Sequence, residues 1–249
     1  MDLGISGRRA AVAAGSAGLG LATAQALVDE GVRVAICGRD PERLAAAVAA
    51  LGPGAVGIEA DMSSAEGALV FAAAAEEQLG GTIDIVVANA GGPPPGRATA
   101  TTVDHFRSAL ELNCLSTIAL TQALIPAMRE QHWGRVLAIT SIGARQPIPF
   151  LAASTTARVA TTAFIKNLAT EVARDGVTAN TIQPGSHRTA RTADLSDAQS
   201  DELRRDIPAG RLGDASDFGA VAAFLCSEQA NFVCGASIIV DGGASRGLQ

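Results

Sequence analysis

The sequence predicts a doubly wound α/β fold: a single parallel sheet of about seven strands with helices on both faces. Three observations carry that expectation. Short β-branched runs alternate with longer Ala/Leu-rich segments of helical spacing, the pattern of successive βαβ units. A glycine-rich turn at Gly15, Gly18 and Gly20 joins the first run to the first helical segment. No Gly/Ser linker, composition shift or fixed-period repeat divides the 249 residues, so one domain is expected over 1–249.

Taken in order, the strands are expected at RRAAVAA, VRVAIC, AVGIEA, IDIVVA, RVLAIT, VTANTIQ and ASIIV. The first helix, LATAQALVDEG, has apolar residues three and four apart and closes on Gly31. The second, RDPERLAAAVAALG, carries Pro41 in its first turn and Gly52 at its end. The proline cluster GGPPPGR after the fourth strand is too short for a linker and reads as a rigid loop. The stretch FLAASTTARVATTAFIKNLATEV reads as a long helix whose Ser154 and Arg158, four apart, share one face.

Composition excludes several classes. A content of 48% hydrophobic and 18% charged residues is that of a globular protein. A net charge of −6 with a pI near 5.1 argues against nucleic acid or an anionic membrane as the main partner. No uninterrupted apolar run approaches the roughly 18 residues of a membrane span, and MDLGISGRRAAVAAG lacks the order of a secretion signal. Cys37, Cys114, Cys226 and Cys234 show no C-x-x-C spacing and read as reduced core thiols, so a cytoplasmic location is expected.

The glycine turn has a mechanical reading. Glycine lets the backbone approach a pyrophosphate, and the helix start supplies unpaired N–H groups and a favourable dipole. Where an NAD-selective site offers an acid after the second strand, this chain offers Gly38 and then Arg39, whose fork suits a 2′-phosphate. A solvated loop arginine is the other reading. Asp61 and the Asn89-Ala90-Gly91 run follow the third and fourth strands, at the sheet edge where ligands bind in open α/β sheets.

These residues together resemble the short-chain dehydrogenase/reductase family over essentially the whole length, and most closely its 3-oxoacyl-acyl-carrier-protein reductase-like branch. The resemblance rests on the glycine turn, Asp61, the NAG at 89–91, Asn113, Ser141, Pro184-Gly185 with Thr189, and VDGG at 240–243. It implies a Rossmann-like fold and a dinucleotide held by Gly15, Ser16, Gly18, Leu19, Gly20, Arg39, Asp61, Met62, Asn89, Ala90, Gly91, Arg158, Pro184, Gly185 and Thr189. With Arg39 in that set, NADP(H) is expected over NAD(H). It also implies a catalytic Asn, Ser, Tyr and Lys. Asn113 and Ser141 fill the first two places, where the asparagine bends its helix and holds a water in the family. The tyrosine and lysine positions fall on Ser154 and Arg158, and the chain contains no tyrosine at all.

A serine hydroxyl is shorter by a ring and a far weaker acid than a phenol of pKa about 10. Arg158 stays charged and can still donate to ribose oxygens. Ala14 stands where the family has its first glycine, and it fits if its φ is negative. His187, after the sixth strand, or a water held by Ser141 and Ser154, is a candidate proton donor; a loop or phosphate role is the bland reading of that histidine.

The expected function is an NADP(H)-dependent oxidoreductase of a carbonyl or alcohol, 3-oxoacyl-like or otherwise small and apolar, with a modified acid. The alternative is an inactive dinucleotide-binding protein acting as a sensor or oligomer subunit. The segment 186–210 reads as a substrate lid, and Ile148, Phe150 and Leu195 as apolar lining or, equally, as core packing. By resemblance a homodimer or homotetramer is expected, with a small-molecule substrate and no metal.

Overall fold

The computed structural model describes residues 2–189, 192 and 196–248; Leu195 lies outside the described residues, as does part of the 186–210 segment. Seven strands, β1 (Arg9–Val12), β2 (Arg33–Gly38), β3 (Ala55–Glu59), β4 (Ile85–Ala88), β5 (Gly134–Ile139), β6 (Val177–Pro184) and β7 (Ser237–Val240), form one sheet in the order 3-2-1-4-5-6-7. Every pairing is parallel. All seven coincide with the expected runs, and the fold class read from the sequence is the one observed.

The helices divide between the two faces. α1 (Gly18–Asp29), α2 (Pro41–Leu51) and α8 (Ala215–Leu225) cover one face through Leu27, Leu44 and Phe218. α3 (Ala65–Leu79), α5 (Ser116–Glu130) and α6 (Ala152–Val172) cover the other through Phe71, Leu124 and Ile165. α4 (Val103–Leu110) leads into α5 through a π turn at Glu111–Leu115, and α7 (Asp197–Arg205) lies beyond β6. Within each strand successive side chains alternate between the two layers: Ala10 and Val12 of β1 enter one core and Ala11 the other.

Local chemistry fixes the boundaries. Asp40 caps α2 by accepting from the Arg43 N–H at 3.0 Å, with Pro41 as its first residue. Ser64 caps α3 through Gly67, and Gly80 closes that helix at φ 69°. Continuous helix runs from Val103 to Glu130, and this stretch is long and apolar enough by length and composition alone to cross a membrane. That corrects the sequence expectation, which looked for uninterrupted apolar runs. Half of the stretch is buried in the protein, where it packs on α3 and the sheet.

β5, whose far end carries Ser141, is anchored at its start by Arg135, which is 1% exposed. Its guanidinium donates to the carbonyls of Ser227 (3.0 Å) and Gly134 (2.9 Å) and stacks 4.4 Å from the ring of Trp133. Arg8 covers the same ring at 3.8 Å. Replacing Arg135 by alanine strips buried carbonyls of their donor, and Arg135→Ala should lower stability by about 3 kcal/mol. Trp133 is the chain's one tryptophan, so urea unfolding followed by its fluorescence measures the loss.

Candidate active site

The order of the strands reverses between β1 and β4, because β1 continues outward through β2 and β3 while β4 continues through β5, β6 and β7. At such a point the loops leaving adjacent strands diverge to opposite faces and open a crevice at the strand C-termini. A cleft of about 1030 Å³ occupies that position.

Its floor is the glycine turn. A Cβ on Gly20 would stand 2.6 Å from Asn89 Nδ2 and 2.7 Å from the Ala14 carbonyl, and one on Gly15 would stand 2.8 Å from Ile36 Cγ2. Glycine is therefore demanded by close approach at both places. The first turn of α1 has no side-chain cap at Ala17, and Ala17, Gly18 and Leu19 line the cleft. Ala14 overturns the expectation of a negative φ: it sits at φ 45°, in the left-handed region. Two bonds impose this. Its N–H donates to Cys37 Sγ at 3.2 Å, and its carbonyl accepts from Asn89 Nδ2 at 3.2 Å. A residue clamped at both its N–H and its carbonyl can hold a conformation its Cβ disfavours. Burial pushes the Cys37 thiol up to about 12, so the sulfur is a neutral packing and acceptor atom there.

One end of the cleft is charged. Arg39 lies with its Nε 3.8 Å from Asp61, both well exposed, and Arg43 with its Nη2 3.3 Å from Asp40. Ser16, Gly38, Met62 and Ser63 complete this end. Sequence reading singled out Arg39 and missed Arg43, which lines the cleft beside it from the first turn of α2.

The other end holds Ser141, Ser154 and Arg158. Ser141 follows β5, and its Oγ accepts from the Gly143 N–H at 3.0 Å, which leaves the hydroxyl proton available to a ligand. Ser154 is half-buried one turn before Arg158. Arg158 is 8% exposed, and its fork donates to the Ile139 carbonyl through Nη1 and to the Ala90 carbonyl through Nη2 at 3.2 Å. It therefore ties α6 to the ends of β4 and β5. Thr140 beside them is buried, and its hydroxyl has no partner among the described residues.

The structure brings Ser16, Gly18, Leu19, Arg39, Asp61, Met62, Asn89, Ala90, Gly91, Ser141, Ser154, Arg158, Pro184, Gly185 and Thr189 to one cleft. Gly15 and Gly20 lie behind its wall. Asn113 also stands back: it is buried in the π turn, its Nδ2 donates to Ala109, and the neighbouring Leu112 lines the cleft instead. The Asn113 carbonyl accepts from the Thr117 and Thr161 hydroxyls, at 2.8 and 3.1 Å. His187 lines the cleft with its ring 5% exposed, Nδ1 3.1 Å from the Gly185 carbonyl and its edge against Phe218. Ile148 and Phe150 are not part of the wall; Pro93, Leu112 and Leu151 supply apolar lining there.

The donor set fits a dinucleotide phosphate. Glycine backbone approaches the cleft floor, a helix start points into it, two arginines stand at one end, and an orphaned buried hydroxyl stands at the other. Architecture and cleft together are those of the dinucleotide-binding α/β proteins. Residues 13–245 match the protein-family model described as Enoyl-(Acyl carrier protein) reductase. L-fucose dehydrogenase of Bos taurus is 34% identical over 97% of this chain and 91% of its own length. The 3-oxoacyl-[acyl-carrier-protein] reductase FabG of Salmonella typhimurium is 31% identical over 97% and 98% of the two chains. L-sorbose reductase from Gluconobacter frateurii, solved in complex with NADPH and L-sorbose, superposes with a TM-score of 0.92 at 28% identity over the full length of both chains. The chain belongs to the short-chain dehydrogenase/reductase family of oxidoreductases.

Two substitutions test the geometry. Ala14→Gly removes the Cβ from a left-handed residue and should stabilise the fold by about 0.5–1 kcal/mol, read as a rise in Tm of about 1–4 °C. Arg158→Ala leaves two carbonyls at the strand ends without their donor and should cost about 1–3 kcal/mol in denaturant unfolding.

Proposed function

We propose that the protein is an NADP(H)-dependent oxidoreductase that interconverts a carbonyl and an alcohol with a weaker proton donor than a phenol. The observation that carries this reading is the cleft itself, which runs from the Arg39–Arg43 pair to Ser141, Ser154 and Arg158. The glycine turn with Arg39 and Arg43 would hold NADP(H), which would supply or accept the hydride.

The chain's own groups have distinct tasks. Arg39 and Arg43 bind a 2′-phosphate as a pair of forked cations. Ser141 donates its free proton to the substrate oxygen, because its lone pair is already engaged by Gly143. Arg158 places a permanent charge beside the carbon undergoing reaction, and that charge favours the negative oxygen formed as hydride arrives. The proton that converts this oxygen to a hydroxyl comes from water and passes through the Ser154 or Ser141 hydroxyl, each of which gives one proton and takes one back.

Positioned acid–base catalysis contributes roughly 10²–10⁴-fold, so the missing phenol leaves a slow enzyme rather than an inert one. Orientation and exclusion of water still act on the hydride step. Two measurements test this. NADPH at about 100 times its Kd should stabilise the protein by about 2.7 kcal/mol, with NADH doing much less. Ser154→Tyr/Arg158→Lys should raise carbonyl turnover about 100-fold, within the range an acid supplies. Absence of any NADPH stabilisation sinks the reading.

A further inference from the structure

We infer that a second binding site lies behind the catalytic wall, a pocket for a small carboxylate with a short aliphatic body, held by Lys166 and Arg145. The inference stands apart from the oxidoreductase reading, because none of the residues lining this pocket lines the cleft.

The first observation is the pocket itself. A cavity of about 550 Å³ opens between α6, the turn after β5 and the segment that leads into β7. Its walls carry both Arg145 and Lys166 and, among the described residues, no carboxylate. In a chain of net charge −6, such a wall is a local field that favours an anion. Ala144, with Val159, Ala163 and Ile165 of α6, makes the rest of the wall apolar. The complementary ligand therefore has a charged head and a hydrocarbon body.

The second is the mounting of the two cations. Lys166 is the chain's one lysine. Its Nζ donates to the Gly235 carbonyl at 3.0 Å. A Cβ on Gly235, which sits at φ 69°, would stand 2.8 Å from that Nζ and 3.1 Å from Cδ of the same side chain. Glycine at 235 thus lets the ammonium fold onto the backbone at the pocket, with its other N–H groups left for a ligand. Arg145 is anchored by its Nε, which donates to Gln183 Oε1 at 3.3 Å, and its Nη2 lies 3.5 Å from the Ser237 carbonyl.

The third is an orphaned donor beneath the arginine. Gln183 is fully buried, and its Nε2 has no partner among the described residues. It stands two places after Thr181 on β6, so both side chains enter the layer in which the pocket lies. There the Thr181 hydroxyl bonds Ser237 Oγ at 2.9 Å, and one of the two hydroxyl protons remains for a ligand. Ammonium, guanidinium and hydroxyl, with an unsatisfied amide behind them, are donors matched to a carboxylate. The site also adjoins the catalytic wall, because α6 presents Ser154 and Arg158 to the cleft and Val159, Thr162 and Lys166 to this pocket. The Thr162 hydroxyl donates to the Arg158 carbonyl at 2.8 Å. An occupant therefore contacts the helix that holds Arg158 without entering the cleft.

The experiment exploits the single lysine. Acylation of Lys166 in the whole protein by a succinimidyl ester is mapped by peptide mass spectrometry, at constant ionic strength, with hexanoate, acetate, inorganic phosphate or hexanamide present. Hexanoate at about ten times its Kd should slow labelling of Lys166 about tenfold and leave the N-terminal amine at its usual rate. Acetate and phosphate, which lack the hydrocarbon body, and hexanamide, which lacks the charge, should each need about tenfold higher concentrations. Arg145→Gln should raise the hexanoate concentration for half-protection about tenfold, and Arg145→Lys should restore part of it. Saturating NADPH should leave the protection by hexanoate intact. Equal or stronger protection by hexanamide or phosphate, protection unchanged in Arg145→Gln, loss of protection with NADPH, or no protection by any probe overturns the assignment. Failure of NADPH to bind overturns the oxidoreductase reading instead, and the labelling without cofactor still decides this site.

Discussion

The strand order is the constraint on which the rest of the molecule depends. Because β1 and β4 are neighbours whose chains leave in opposite directions, the ends of these strands must separate, and the space between them is set before any functional side chain is chosen. Ala14, Asn89, Ala90 and Ser141 owe their proximity to that reversal, since each follows a strand that ends on the same edge. The Asn89–Ala14 bond closes the two diverging loops against each other at 3.2 Å. Gly20 permits it, since a larger residue would push into both partners.

Arg158 shows how a substitution changes structure and chemistry together. A forked cation reaches a carbonyl at the end of β5 and another just beyond β4 at once, which a single ammonium matches less well. The same fork becomes a structural strap at the end of the sheet, and its charge stays in place whatever the protonation state of its surroundings. A permanently charged strap suits stabilisation of a negative oxygen and is poorly suited to relaying a proton. The serine at 154 has the complementary character, with a proton it exchanges readily with water and no reach across the cleft. In the proposed mechanism the two together take the place of one phenol–ammonium pair.

The alternation of strand and helix, the cleft position and most of its lining were legible in the sequence, because each follows from local pattern plus parallel topology. The strand runs carried period-free apolar blocks, as strands buried on both faces do. Arg43 and Leu112 were less legible, since nothing in their residue type separates them from a solvated arginine and a core leucine. Asn113 shows the opposite case: its chemistry drew attention, yet the π turn rotates it behind the wall and presents its neighbour. Ala14 was misjudged for a physical reason. Propensity favours a negative φ for alanine, and two tertiary bonds, one to a cysteine sulfur twenty-three positions away, override it.

Phe150 and Ala14 share that logic. Both are non-glycine residues held in the left-handed region, and both have backbone groups engaged by a distant partner. Strain of this kind is retained only where surrounding bonds outweigh it, and it fixes position more tightly than a relaxed loop would. At Ala14 it fixes the floor on which a phosphate would lie; at Phe150 it fixes the ring over which the Arg97 guanidinium lies. Leu151, next to Phe150, lines the cleft on the side that carries the two serines and Arg158. Among the described residues lining the cleft, the carboxylates Asp40 and Asp61 are confined to the Arg39–Arg43 end. The end that holds Ser141, Ser154 and Arg158 is free of acids, so a negative oxygen formed there would face no like charge.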